Sequence, residues 1–265
     1  MKILKRKNLQ GSGNKQVEIG ATLLEGDLAT LNVVNGLVVV LISADAEWRI
    51  VLDYFNDPTV HRSPFGYFFL TELAGRSTVI FQGGWGKVSS AAGTQYVIDR
   101  WKPGLLMNIG TCGGFSGKVK TGDVLLVEKT LIYDIYERMS DPDEAIDFYS
   151  TNLDYSFLCE PLPQPIVRSL LISADQDIDP DLVFKLESEY GAIAADWESG
   201  AIAWTASRND VKCLILRGVS DLVDSMGGEI YESDQFHTRA SEVMEPLLRA
   251  LPNWIRCASW GSKIP

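Results

Sequence analysis

The stretch "GLVVVLISADAEWRIVLDYF", residues 36–55, decides the fold class. It opens on an apolar, largely β-branched run with no polar alternation, the pattern of a strand buried on both faces. A short polar loop follows. From Trp48 onward the apolar positions recur at intervals of three and four, the period of an amphipathic helix. A buried strand feeding a helix is the repeating unit of an α/β protein.

The unit recurs along the chain. "STVIFQ" (77–82) reads as a strand, and "GGWGKVSSAAGTQYVIDRW" (83–101) as a glycine-rich loop entering a helix. Further strands are expected in "GLLMNIGTCGG" (104–114), "GDVLLVEKTLIYDI" (122–135), "RSLLIS" (168–173), "AIAAD" (192–196) and "KCLILRGVSD" (212–221). Residues 137–166 are polar and proline-containing, which suits a long surface excursion. The expected fold is α/β: a three-layer single domain, with a mostly parallel twisted central sheet and helices on both faces. Residues 37–265 form that domain, and residues 1–36 form a partly flexible N-terminal extension.

Composition narrows the function. The 265 residues are 46% hydrophobic and 22% charged, enough for a sizeable core. A formal charge of -11 argues against nucleic acid or an anionic membrane surface as partner. The four cysteines are widely spaced, without a C-x-x-C pair, and the chain has two histidines, so neither a zinc site nor a disulfide framework is expected. The basic N-terminus lacks the apolar core of a secretory signal, and "LVVVLI" (37–42) is too short to span a bilayer. A cytoplasmic location is expected.

Ligands of α/β sheets collect at the carboxyl ends of the strands, so the residues delivered there are the candidates. They are Ser43, Asp45 and Glu47; Trp85 in its glycine loop; Thr111 and Gly113; Asp175, Gln176, Asp177 and Ile178; Trp197 and Glu198; and Ser220 and Asp221. Asp45 alone reads as a helix cap or a solvated group, and Cys112 as a small buried hydrophobe. "GGWGKV" has neither the G-x-G-x-x-G spacing nor the ending of a P-loop. The convergence of Glu47, Glu198 and Asp221 beside glycine loops suits acid/base chemistry on a polyhydroxylated substrate. In "AADWESGAIAW" (194–204), Asp196 sits where a buried strand turns into a buried helix, which suits stabilisation of the helix start.

In their order along the chain these motifs resemble the purine nucleoside phosphorylase/uridine phosphorylase superfamily, and within it the 5′-methylthioadenosine/S-adenosylhomocysteine nucleosidases. "GGWGKVSSAAGTQYVIDRWKPGLLMNIGTCGG" is similar to the family's "SGIGKV…A…KPD…IN.G..GG", "AADWESGAIA" to its "V.MEA.AIA", and "LRGVSDLVD" to its "VRAISDVAD". The resemblance runs from about Val38 to Leu251 and is poor over 137–166. It implies hydrolysis of the N-glycosidic bond of a purine nucleoside, with release of adenine and with no cofactor or metal. It assigns Glu198 to the ribose hydroxyls, Asp221 after Ser220 to protonation of the purine, and Glu47 to activation of the attacking water; a register one residue later would put Trp48 there. Thr111 and Gly113 match the loop beside ribose and base, Trp197 the position packed on ribose, and Ile178 belongs to the loop that receives the purine.

Two departures from the family pattern stand out. Asp177 occupies the place where the family sets a phenylalanine against the purine, and Trp85 replaces a smaller aliphatic near the 5′ group. Tyr231 and Phe236 are candidates to close over that group. The phosphorylases of the superfamily hold phosphate with arginines where this chain has Asn108 and the acidic "SADAE" (43–47), which favours water as nucleophile. Alternatives are a phosphate-dependent phosphorylase and a non-catalytic nucleoside-binding relative. A small-molecule nucleoside is the expected partner, and the resemblance implies a homodimer.

Overall fold

The computed structural model describes residues 36–228 and 235–259. The proposed extension, apart from Gly36, and Tyr231 lie outside the described residues, as does the side chain of Phe236. The run that opens the domain is β1 (Val38–Ile42), buried at every position. Val38, Val40 and Ile42 face one core cluster, and Val39 and Leu41 face the other. That alternation is why the strand tolerates no polar residue. The helix after it is α1 (Asp45–Tyr54), which buries Trp48, Ile50 and Val51.

β1 is flanked by β4 (Arg76–Gln82) and β5 (Leu105–Phe115), both parallel to it. Between α1 and β4 lie β2 (His61–Arg62) and β3 (Tyr67–Leu73), which extend the sheet edge in antiparallel fashion. Helix α2 (Gly86–Trp101) follows β4. Beyond β5 come β6 (Val124–Ile132), α3 (Pro142–Tyr149), β7 (Thr151–Asn152), β8 (Val167–Ser173), α4 (Val183–Tyr190), β9 (Ala194–Asp196), α5 (Ser199–Arg208), β10 (Cys213–Asp224), β11 (Gly227–Gly228) and α6 (Phe236–Cys257). The segment 137–166, read as a surface excursion, thus carries α3 and β7.

The strands form one sheet ordered β11-β10-β6-β8-β9-β5-β1-β4-β3-β2, with β7 on β6. β10 also pairs with β5, so β5, β10, β6, β8 and β9 close on themselves as a small barrel beside the open wing of the sheet. Among the described residues five pairings are parallel and six antiparallel, so the sheet is mixed. The antiparallel members are the edge hairpin strands and the short β7, β9 and β11, while β6 runs against β10 to close the barrel.

Helices cover both faces, as expected. α1 and α6 pack on one side, where Trp48 and Val51 share a core with Met244, Leu247 and Trp254. α2 and α5 pack on the other, where Val97 and Trp101 share a core with Ile202, Ala203 and Ala206. Among the described residues no helix is long and apolar enough to cross a membrane.

Candidate active site

The carboxyl ends of β1, β4, β5, β8, β9 and β10 surround one cavity of about 550 Å³. Nine of the residues singled out for catalysis or binding line it: Glu47, Trp85, Thr111, Gly113, Ile178, Trp197, Glu198, Ser220 and Asp221.

Glu47 enters from the first turn of α1 and is 2% exposed. Its Oε1 accepts hydrogen bonds from the backbone nitrogen and the hydroxyl of Thr111, at 2.7 and 2.9 Å. Its Oε2 accepts from the nitrogen of Ala44 at 3.2 Å, so the same carboxylate closes the start of α1. Trp48 packs against Phe69 in the core, and Glu47 is the side chain that lines the cavity.

Asp221 is delivered by a slip of one residue in the pairing of β10 with β5. Val219 pairs with Cys112 and Asp221 with Gly113, leaving Ser220 as the extra residue. Such a bulge re-aims the side chains beside it. The Ser220 hydroxyl donates to Asp221 Oδ1 at 2.6 Å and also lies 3.3 Å from the Cys112 carbonyl. Gly113 keeps the space before this acid open: a Cβ there would stand 2.7 Å from Ile178 Cδ1 and 3.8 Å from Asp221 Oδ2.

Glu198 precedes α5, is 6% exposed, and accepts from the nitrogen of Gly86 at 3.1 Å. Burial, reinforced by the charge of Asp196, pushes its pKa up to about 8, although Arg217 acts the other way. Gly86 opens α2 at φ +79, a conformation that favours glycine, and this turn brings its N–H onto the glutamate. The neighbouring Trp85 is 67% exposed and stacks on Trp197 with ring centroids 4.9 Å apart.

Asp196 has a structural partner that the sequence reading missed. Arg217, fully buried in β10, donates to Asp196 Oδ2 at 2.8 Å, to Asn108 Oδ1 at 2.7 Å and to the Ser199 hydroxyl at 2.9 Å. Asp196 also accepts from the Ser173 hydroxyl at 2.6 Å and from the nitrogen of Ser199, which caps α5. Arg217 Nη1 has no hydrogen-bond partner among the described residues. It lies beneath Gly110, where a Cβ would fall on it and stand 2.9 Å from Glu47 Oε1. Asn108 bonds the Leu41 carbonyl at 3.1 Å and holds Arg217, so it belongs to the framework behind the cavity.

The remaining candidates separate. Asp45 accepts from Gln82 at 2.7 Å at the cavity edge, and Gln176 and Asp177 line the opening. Asp175 bonds the nitrogen of Lys87 at 2.7 Å and does not line the cavity. Burial pushes the Cys112 thiol well above its ordinary value, which disfavours its thiolate. Among the described residues no group of three or more His, Cys, Asp or Glu side chains is arranged to hold a metal ion.

Comparison with known proteins places this geometry in context. The family model described as "Phosphorylase superfamily" matches residues 37–252. A 5′-methylthioadenosine/S-adenosylhomocysteine nucleosidase from Tolumonas auensis is 27% identical over 177 residues, covering 62% of this chain and 77% of the relative. One from Actinobacillus succinogenes is 26% identical over 198 residues, covering 70% and 86%. The solved nucleosidase from Colwellia psychrerythraea, in complex with adenine, has the same fold, with a TM-score of 0.68 at 20% identity over 84% of this chain and 96% of that one.

Proposed function

The chain belongs to the phosphorylase superfamily, and we propose that within it the protein hydrolyses the N-glycosidic bond of 5′-methylthioadenosine and/or S-adenosylhomocysteine, releasing adenine. The observation that carries the choice of water over phosphate is the cavity lining. Among the described residues it holds six acids, Asp45, Glu47, Asp177, Asp196, Glu198 and Asp221, and no lysine, arginine or histidine. A single carboxylate about 4 Å from a phosphate charge costs it about 1–4 kcal/mol in a wet site. A neutral water meets no such barrier.

The roles are those the family resemblance implies, and the geometry of the cavity supports them. Glu198, held by Gly86, takes the ribose hydroxyls beside Trp197. The purine is taken beside Gly113 and Ile178, where Asp221 gives a proton to the ring as the bond to the sugar breaks. Electrons flow into the neutralised purine, and the ribosyl carbon takes on oxocarbenium character. Glu47, fixed by Thr111 and Ala44, orients and deprotonates the water that attacks the opposite face. Arg217 Nη1, without a hydrogen-bond partner among the described residues, lies beneath Gly110 close by Glu47. No step calls for a metal or cofactor.

The working unit is residues 37–265, with 1–36 as an extension to it, acting in the cytoplasm as a homodimer. The test is incubation with 5′-methylthioadenosine and with S-adenosylhomocysteine in phosphate-free buffer. Adenine release from either is the expected result, and release from neither contradicts the reading.

A further inference from the structure

We propose that the mouth of the cavity selects nucleosides whose 5′ substituent carries a positive charge, with Trp85 as the residue that recognises it. The inference rests on the nucleosidase reading and names the substrate class of that site. Trp85 lines the cavity, yet 67% of its surface is open. One face of the ring lies against Trp197, at 4.9 Å between centroids and 22° between planes, and among the described residues Trp85 makes no other ring contact. Trp197 immediately precedes Glu198, and Glu198 bonds the residue after Trp85. The tryptophan pair therefore stands beside Glu198, next to the proposed sugar position, where a substituent of the sugar can meet the exposed face of Trp85.

Electrostatics decide what that group should be. Asp45 and Asp177 are exposed and line the same cavity. No basic residue among the described ones lines it, and the cation nearest to Trp85 in sequence, Lys87, is paired with Asp134 and lies 3.7 Å from Asp175. An open tryptophan face attracts cations through its ring quadrupole, and nearby carboxylates add to the attraction. A substituent of net negative charge, such as a phosphate, meets the same field with the opposite sign, whereas the zwitterionic end of S-adenosylhomocysteine also offers an ammonium to the ring. A plain alkyl group gains only the apolar area of the ring.

The test compares three adenosine thioethers: 5′-methylthio, 5′-butylthio and 5′-(3-aminopropylthio). The last two have the same size and differ in charge. The expected result is a kcat/KM for the aminopropyl compound about tenfold above that for the butyl compound, shrinking as salt is raised. Trp85→Leu should bring the ratio to about one, and Trp85→Phe should keep part of it; both variants are checked by melting temperature. Equal or better turnover of the butyl compound, or an unchanged ratio in Trp85→Leu, overturns the inference while leaving the nucleosidase reading intact. No adenine from any of the three overturns both.

Discussion

Glu47 Oε1 takes two hydrogen bonds from one residue, the N–H and the hydroxyl of Thr111, at 2.7 and 2.9 Å. The contact joins the first turn of α1 to the end of β5, across the point where the two central parallel strands deliver their loops. With Ala44 holding the other oxygen, the carboxylate is fixed before any substrate arrives. Preorganisation of this kind lowers the reorganisation that proton transfer requires.

Glu47→Gln keeps the size of the side chain and an acceptor for Thr111 while removing its basicity. Turnover should fall by about 10²–10⁴ with KM little changed. Steady-state adenine release checks this, and activity within tenfold of the parent would remove Glu47 from the role of base.

Asp221→Asn should lower kcat by a similar factor of about 10²–10⁴, because the amide has no acidic proton to give the purine. The Ser220 hydroxyl can still donate to the amide oxygen, so the local geometry survives. Calorimetric titration with adenine should show binding largely retained; unchanged turnover would show that another group protonates the base.

Arg217→Met should be strongly destabilising. It leaves Asp196 buried without its cation, a loss of about 3–5 kcal/mol for a broken buried pair. Asp196→Asn in the same chain should recover part of that loss, since the uncompensated charge is gone. Urea unfolding of the single and double variants measures the coupling, and additive effects would mean that the pair is not what holds β10 to β9.

Glu198 gives a pH signature. Its pKa is raised from the ordinary carboxylate range to about 8 by burial and by Asp196. The folded state therefore keeps a proton that the unfolded chain releases near pH 4–5. More protons bound in the folded state means that stability falls as pH rises through the window from about 4.5 to 8. Glu198→Gln removes that slope, so its melting temperature should match the parent at pH 4 and exceed it at pH 9. A difference independent of pH would contradict the raised pKa. Adenine release should meanwhile drop in this variant, because one ribose contact is altered.

The fold was legible where burial leaves a plain trace. β1, β4, β5, β8 and β10 lie inside the molecule, and each is a near-continuous apolar run. Strand direction was not legible. β9 has three residues and pairs antiparallel with β5 but parallel with β8, a choice made by distant partners. β3 has a half-exposed burial pattern at the sheet edge and lacks the apolar continuity of the interior strands. The acids of the site were legible because charge at the end of an apolar strand needs a reason. Arg217 carried the same signal inside "KCLILRGVSD", and its complement was Asp196 in the other apolar run; neither reads as a pair until the barrel closes. The stacking of Trp85 on Trp197 is likewise a tertiary fact, because it joins the loops after β4 and β9.

The central claim is that water, not phosphate, attacks the sugar. The direct measurement is the identity of the sugar product when 5′-methylthioadenosine is turned over in buffer containing millimolar phosphate, read by phosphorus NMR and mass spectrometry. The account predicts free methylthioribose, no sugar phosphate, and a rate that phosphate does not raise. A methylthioribose 1-phosphate product, or adenine release that starts only when phosphate is added, would contradict it.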